Sequence, residues 1–264
     1  MLSIHEMDRM PPGRSRRAKA MLRHKTDRDP LSVIAENGIR LQFQPRRCLR
    51  DNVVSGAELQ LHWPHRRGSC SAGSAQHCNA GLNAALGWAL RQACGCAAVW
   101  PYGAITVAVS GEQLREPCVA RYVAAALDES GLTPDRLELA VPESDVIDMG
   151  VDELLTLSAL RDLGVGVAID DFGGVLGSLM PLRRMPLTGL KISRTLVRGI
   201  PDDREDEAVL RAAVGLAQSV HLSVVADGIE NETQRRFLSE LGCDEGQGSL
   251  MGPAMLPGAF GAIL

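Results

Sequence analysis

The sequence predicts an α/β fold, a (β/α)8 TIM-like barrel, and three observations carry that reading. Short apolar runs of strand length recur along the chain, amphipathic helical patterns fill the gaps between them, and the unit repeats about every 25 to 45 residues. An open doubly wound sheet is the competing arrangement, but no Gly-rich dinucleotide fingerprint supports it.

The elements follow in order. Residues 1–30 stand apart as a basic tail with Arg14, Arg16, Arg17, Lys19, Arg23, Lys25 and Arg28 behind Pro11-Pro12-Gly13. They read as a mobile segment, helical from Arg16 to Lys25, or as a docking segment for an acidic partner. The barrel domain is expected over 31–264. Leu31, Ile34 and Ala35 have helical spacing, and Asn37-Gly38 gives a stop. Strands are expected at Ile39–Phe43, Val53–Leu61, Ile105–Val109, Leu137–Val141, Val165–Ile169, Gly189–Ile192 and Leu222–Ala226, with a short eighth inside Cys243–Leu250. Helical patterns are marked by Leu82 to Leu90, Val119 to Leu127, Leu154 to Leu160, Val209 to Ala217 and Phe237 to Leu241.

Composition narrows the function classes. With 264 residues, 45% of them hydrophobic, the chain can bury a full core. A formal net charge of −4 argues against a nucleic-acid polymer as partner. No apolar run approaches the roughly 20 residues that span a bilayer, so membrane insertion is not expected. No secretory leader pattern is visible. The seven cysteines are odd in number and irregularly spaced, which predicts reduced thiols in the cytoplasm.

In a barrel of this kind the chemistry sits at the C-terminal ends of the strands. Those ends read Glu58, Ala108, Ala140, Asp170 with Asp171, Lys191, Asp227 and Gln247. Adjacent strand residues point to opposite faces, so Asp170 and Asp171 could meet at one centre only if the backbone turned, and Gly173-Gly174 is expected to permit it. Paired acids at a strand end suit a hard divalent cation. A solvated Asp-Asp turn is the plainer alternative.

These residues resemble the EAL family, bacterial phosphodiesterases of cyclic di-GMP, over about Leu31 to Leu256. The likeness is carried by Phe43-Gln44-Pro45, Gly56-Ala57-Glu58, Asp170-Asp171-Phe172-Gly173, Leu190-Lys191-Ile192, Val224 to Glu230 with its Asp227-Gly228, and Leu241 to Asp244 leading to Gln247-Gly248. The resemblance implies a barrel whose first strand is antiparallel. It implies two Mg²⁺ or Mn²⁺ ions that activate water against a phosphodiester. Carried over residue by residue, Glu58, Asp170, Asp171 and Lys191 match catalytic positions, and Glu58, Asp170, Asp171 and Asp227 match metal positions. Gln44, Glu58, His62, Asp227, Glu230 and Gln247 match ligand-binding positions.

The chain departs from the pattern where the chemistry is done. Ala108 stands where the family has Asn, Ala140 where it has Glu, and Asp227 where it has the longer Glu. His62 replaces a phosphate-reaching Arg, Ser193 replaces Asp, and Gly174-Val175-Leu176-Gly177-Ser178 has lost most of the loop's hydroxyls. A hard cation wants about six oxygens, and two methyl groups supply none. The sequence therefore predicts a degenerate, vestigial site on a retained scaffold: a signalling regulator that works through protein–protein binding, with cyclic di-GMP binding disfavoured. No cofactor is expected, and any bound metal would be Mg or Mn. The alternative is a weakly active metal-dependent phosphodiesterase in which waters replace the missing ligands.

Other features read as binding surface or packing. Val175, Leu176, Leu179 and Met180 form an apolar stretch after the Asp pair, expected to join a homodimer or a protein partner. Pro64 to Ser74 reads as a flexible basic loop. His62, His65, Cys70, His77 and Cys78 fit no recognised zinc spacing. Cys94, Cys96, Trp63, Trp88 and Trp100 are expected to be structural.

Overall fold

The computed structural model describes residues 40–62, 69–71, 82–116, 118–173 and 184–264, the side chains of 62, 69–71 and 82–85 excepted. The basic tail, residues 31–35 where a helix is expected, Trp63, most of the basic loop with His65, the nearby His77 and Cys78, and the 174–183 stretch with Val175, Leu176, Leu179 and Met180 lie outside the described residues. Strands are β1 (Arg40–Cys48), β2 (Val54–His62), β3 (Ser69–Ser71), β4 (Ala104–Ala108), β5 (Leu137–Pro142), β6 (Gly166–Phe172), β7 (Gly189–Ile192), β8 (Ser223–Ala226) and β9 (Glu245–Gly246). Helices are α1 (Leu82–Ala98), α2 (Gly111–Leu114), α3 (Val119–Ser130), α4 (Glu143–Val146), α5 (Val151–Asp162), α6 (Arg194–Gly199), α7 (Arg204–Ser219), α8 (Glu232–Leu241) and α9 (Pro257–Gly261).

The sheet runs β1-β9-β8-β7-β6-β5-β4-β2 and closes through a β1–β2 pairing, while β3 extends the far end of β2. Strand β1 is antiparallel to both neighbours, and the other barrel strands run parallel. The fold is therefore an eight-stranded α/β barrel with a reversed first strand. Two expectations need correction. The first strand continues to Cys48 because its alternation persists through Pro45 and Arg46, and Ser69–Ser71, expected as loop, pairs with Gln60–His62.

Alternation along the strands divides apolar from polar. Outward residues such as Ile105, Val107, Leu139, Val167, Ile169, Leu190 and Val224 are fully buried beneath the helices. Inward positions are polar or small: Gln44 and Arg46 on β1, Glu58 on β2, Thr106 on β4, Glu138 on β5, Asp170 on β6 and Lys191 on β7. The main hydrophobic layer thus lies between sheet and helices, and the lumen is left for charge. Reversed strand β1 is covered by α9. Phe43, Trp100 and Phe260 meet there with ring centroids 4.6 to 5.8 Å apart, all three buried. Edge-on and tilted contacts suit the ring quadrupoles. Among the described residues, no helix is long and apolar enough to cross a membrane.

Phe260 is fully buried in a short C-terminal helix that seals this strand. Phe260→Ala is expected to lower unfolding free energy by about 3–5 kcal/mol, read as a shifted midpoint in guanidinium denaturation with the far-UV spectrum retained.

Candidate functional site

The centre of the lumen is the Lys191 ammonium. It lies 2.5 Å from Glu58 Oε2 and 3.3 Å from Asp170 Oδ1, and all three side chains are largely buried. Strand β7 contributes Lys191, β2 Glu58 and β6 Asp170, so three separate strands are tied through one cation. Gln247, from the end of β9, donates to Glu58 Oε2 at 2.7 Å and to Gln44 Oε1 at 3.0 Å. Gln60 also donates to Gln44.

Burial opposes every charge here, and partners decide the outcome. For Glu58, desolvation is the largest influence and pushes its pKa up. The Lys191 charge, hydrogen bonds from Lys191 and Gln247, and Arg46 outweigh it, so the carboxyl lies below its ordinary range. Asp170 is farther from Lys191. Desolvation dominates there, with repulsion from Glu58 and Asp227 added, and its pKa is raised. Burial also disfavours the Lys191 ammonium, but Glu58, Asp170 and Asp227 together hold it firmly protonated.

A second ionic layer lies beneath. The buried Arg46 donates to Glu138 Oε1 at 2.7 Å, its Nε lies 3.1 Å from Glu245 Oε2, and Thr106 Oγ1 donates to Glu138 at 2.9 Å. Glu138 and Glu245 raise the Arg46 pKa against the opposing and larger effect of burial. Sequence reasoning missed this layer. Counting inward by two residues from Gln44 and from Ala140 would have found Arg46 and Glu138.

The backbone turns at the Asp pair, as the sequence requires if both are to reach one centre, and the two carboxylates take different partners. The β6–β7 register breaks between Ile169 and Phe172, and Asp171 itself takes the left-handed conformation at φ 56°. Asp170 turns into the lumen. Asp171 is exposed and accepts a hydrogen bond from Ser193 Oγ at 2.6 Å. The turn continues through Gly173 at φ 86°, where a Cβ would stand 2.3 Å from Leu196 Cδ1. Its N–H is fixed by the buried Glu143 at 2.9 Å.

Asp227 ends β8 at the mouth and pairs with Arg194 Nη2 at 3.1 Å. Gly228 allows that approach, since a Cβ there would stand 2.5 Å from Arg194 Cβ. Asp227 holds the Arg194 pKa up. Glu230 is exposed at the rim, its N–H bonded to Gln234. His62 ends β2, in backbone register with Arg40 of β1. Ala108 and Ala140 are register partners, and Ala140 pairs in turn with Ala168, which makes a row of buried methyl groups across β4, β5 and β6.

A profile for the EAL domain matches residues 28–254. The chain belongs to the EAL domain family. It is 34% identical over 241 residues to the uncharacterized protein y4lL of Sinorhizobium fredii, covering 89% of this chain and 28% of that protein. It is 34% identical over 224 residues to the bifunctional diguanylate cyclase/cyclic di-GMP phosphodiesterase MucR of Pseudomonas aeruginosa, covering 81% and 33%. The solved PaMucR phosphodiesterase in complex with c-di-GMP superimposes with a TM-score of 0.78 at 31% identity, covering 88% of this chain and 99% of that one. The chain spans about a third of the length of these curated relatives.

The divalent ions implied by the EAL resemblance do not fit the residues present. A hard cation needs about six oxygens. The wall beside Asp170 offers the methyls of Ala108, Ala140 and Ala168. Glu58 and Asp170 share Lys191, Asp171 is turned to Ser193, and Asp227 is turned to Arg194. Among the described residues, no three His, Cys, Asp or Glu side chains gather as a metal cage. Cys94 and Cys243 are buried, and burial pushes each thiol up to about 12, which makes these two unreactive.

The two carboxylates should respond oppositely to pH. Glu58, with a lowered folded pKa, contributes stability above the ordinary Glu range, and this is lost as pH falls through its folded value. Asp170, with a raised folded pKa, is fully favourable only at acid pH and loses stability as pH rises through its folded value. Glu58→Gln should therefore cost about 3–5 kcal/mol at pH 7 by breaking a buried pair. Asp170→Asn should raise the urea midpoint at pH 7, with the gain disappearing on acidification. Urea melts from pH 3.5 to 7.5 measure both.

Proposed function

We propose that this EAL domain does not hydrolyse cyclic di-GMP and acts as a signalling regulator through protein–protein binding. The observation that carries the reading is the row of methyl groups at Ala108 and Ala140, where EAL phosphodiesterases are expected to present metal-binding oxygens. The lumen charge is instead balanced internally, with Lys191 between Glu58 and Asp170 and Arg194 on Asp227.

Nucleotide binding is also disfavoured. Among the described residues that end β2, β6, β7 and β8 or follow them, the carboxylates Glu58, Asp170, Asp171 and Asp227 outnumber the cations Lys191 and Arg194. A cyclic dinucleotide brings two phosphodiester charges of the same sign as the excess, and His62 stands where a phosphate-reaching Arg is expected. The helical shell and outward core are retained, so the surface is the plausible carrier of function. A homodimer or a hetero-complex involving Val175, Leu176, Leu179 and Met180 belongs to this reading, as does a cytoplasmic location.

One observation favours the second reading, weak metal-dependent phosphodiesterase activity. Glu58, Asp170, Lys191 and Gln247 are all present, and Lys191 and Gln247 both meet Glu58. MucR, at 34% identity, carries a phosphodiesterase name.

Incubation with cyclic di-GMP in Mg²⁺ or Mn²⁺, followed by chromatography, separates the two. No linear dinucleotide is expected from the wild type. Turnover that is abolished by Glu58→Ala would establish the second reading instead. The double change Ala108→Asn with Ala140→Glu is expected to restore measurable hydrolysis only to the extent that the altered loop permits.

A further inference from the structure

Helix α5 carries an apolar ridge on its outer face. Val151, Leu155, Ala159 and Leu163 are all exposed and follow one another at four-residue spacing, which stacks them in line along a helix. Val151 is 71% and Leu155 63% accessible, values unusual for neighbouring large apolar side chains. Ile147, in the turn just ahead, is 48% accessible. The inner face of the same helix is filled by the buried Leu157 and Leu160, so the ridge is surplus to the barrel's own packing. Scattered exposed apolar residues are ordinary, but a continuous line of them marks an interaction surface.

The ridge has an acidic border. Asp148, Asp152 and Asp162 are exposed, and Asp152 and Asp162 lie three residues from Leu155 and Ala159, close enough to be surface neighbours. That border disfavours a second copy of the same helix. A two-fold contact would set Asp152 and Asp162 against their own counterparts, and like charges across an interface are costly. The occupant should be basic, with a short apolar face.

The chain contains such a segment. Within Arg14–Arg28, Ala18, Met21 and Leu22 have the spacing of one helical face, and Arg16, Arg17, Lys19 and Arg23 surround them. Strand β1 begins at Arg40, paired with His62 at the mouth end of the barrel, and α5 leaves β5 from that same end by way of α4.

We propose that the basic segment Arg14–Arg28 docks in cis on the α5 ridge, with Met21 and Leu22 against Val151 and Leu155 and its cations against Asp148, Asp152 and Asp162. Docking of this kind would cover the ridge until a competing basic helix displaced the segment. The proposal stands on the outer face and does not depend on whether the lumen is catalytic.

Zero-length carbodiimide cross-linking of the full chain, with peptide mass spectrometry, tests it. The expected result is linkage of Lys19 or Lys25 to Asp148, Asp152 or Asp162. Val151→Asp/Leu155→Asp should reduce that linkage at least five-fold even though it adds two carboxylates, because it removes the apolar contact. The acidic start of α7, with Asp202, Asp203, Glu205, Asp206 and Glu207, is an internal control without such a ridge. Linkage mainly to that cluster, or linkage unchanged in the double variant, would overturn the proposal. Isotopically mixed links from a labelled and unlabelled mixture would also overturn it, because they would place a second copy on the ridge. Met21→Ser/Leu22→Ser in the tail leaves the barrel untouched, preserves charge and should give the same five-fold loss.

Discussion

The structure depends on one buried ammonium. The barrel turns its apolar residues outward, beneath the helices, and its polar residues inward. Glu58 and Asp170 therefore face each other's charge in a space with little water, and without a cation at least one would have to be neutral. Lys191 joins them and thereby joins β2, β6 and β7. Arg46 does the same one layer down, between Glu138 and Glu245. The lumen is held by alternating charges where many barrels are held by interlocking aliphatic layers. Buried ion pairs of this kind contribute little net stability, but removing Lys191 or Glu58, which leaves a buried charge short of its partner, is expensive. The lumen is thus constrained even if it performs no chemistry.

In the proposed reading, this arrangement gives Ala108 and Ala140 a physical meaning. A divalent ion must compete with a lysine already in place, and it must do so with methyl groups along the β4–β5 wall. The same shell of helices that would support a catalytic site then supports a neutralised one.

Much of the fold was legible from the sequence. Outward residues such as Val165, Val167 and Ile169 are continuous apolar signals, and helices α3, α7 and α8 carry clear periodic faces. The reversed first strand was implied only by family resemblance, since direction leaves no mark in periodicity. The site was legible as a set of strand ends, but the partners of each side chain were not. Asp170-Asp171 was readable as a pair at a turn. A register break and the positive φ of Asp171 send one acid inward and the other to Ser193, and a hydrogen bond across 22 residues is invisible to local pattern. Arg46 escaped notice because an Arg46-Arg47 pair after Pro45 looks like exposed surface. Its burial is a consequence of the closed barrel and the parity of β1.

The most direct test of the account is a Mn²⁺ titration of the protein followed by the electron paramagnetic resonance signal of the free ion. The account requires that the wild type bind no Mn²⁺ at micromolar concentrations and that Ala108→Asn/Ala140→Glu gain binding. Two ions held at micromolar concentration by the wild type, and lost on Asp170→Asn, would contradict it.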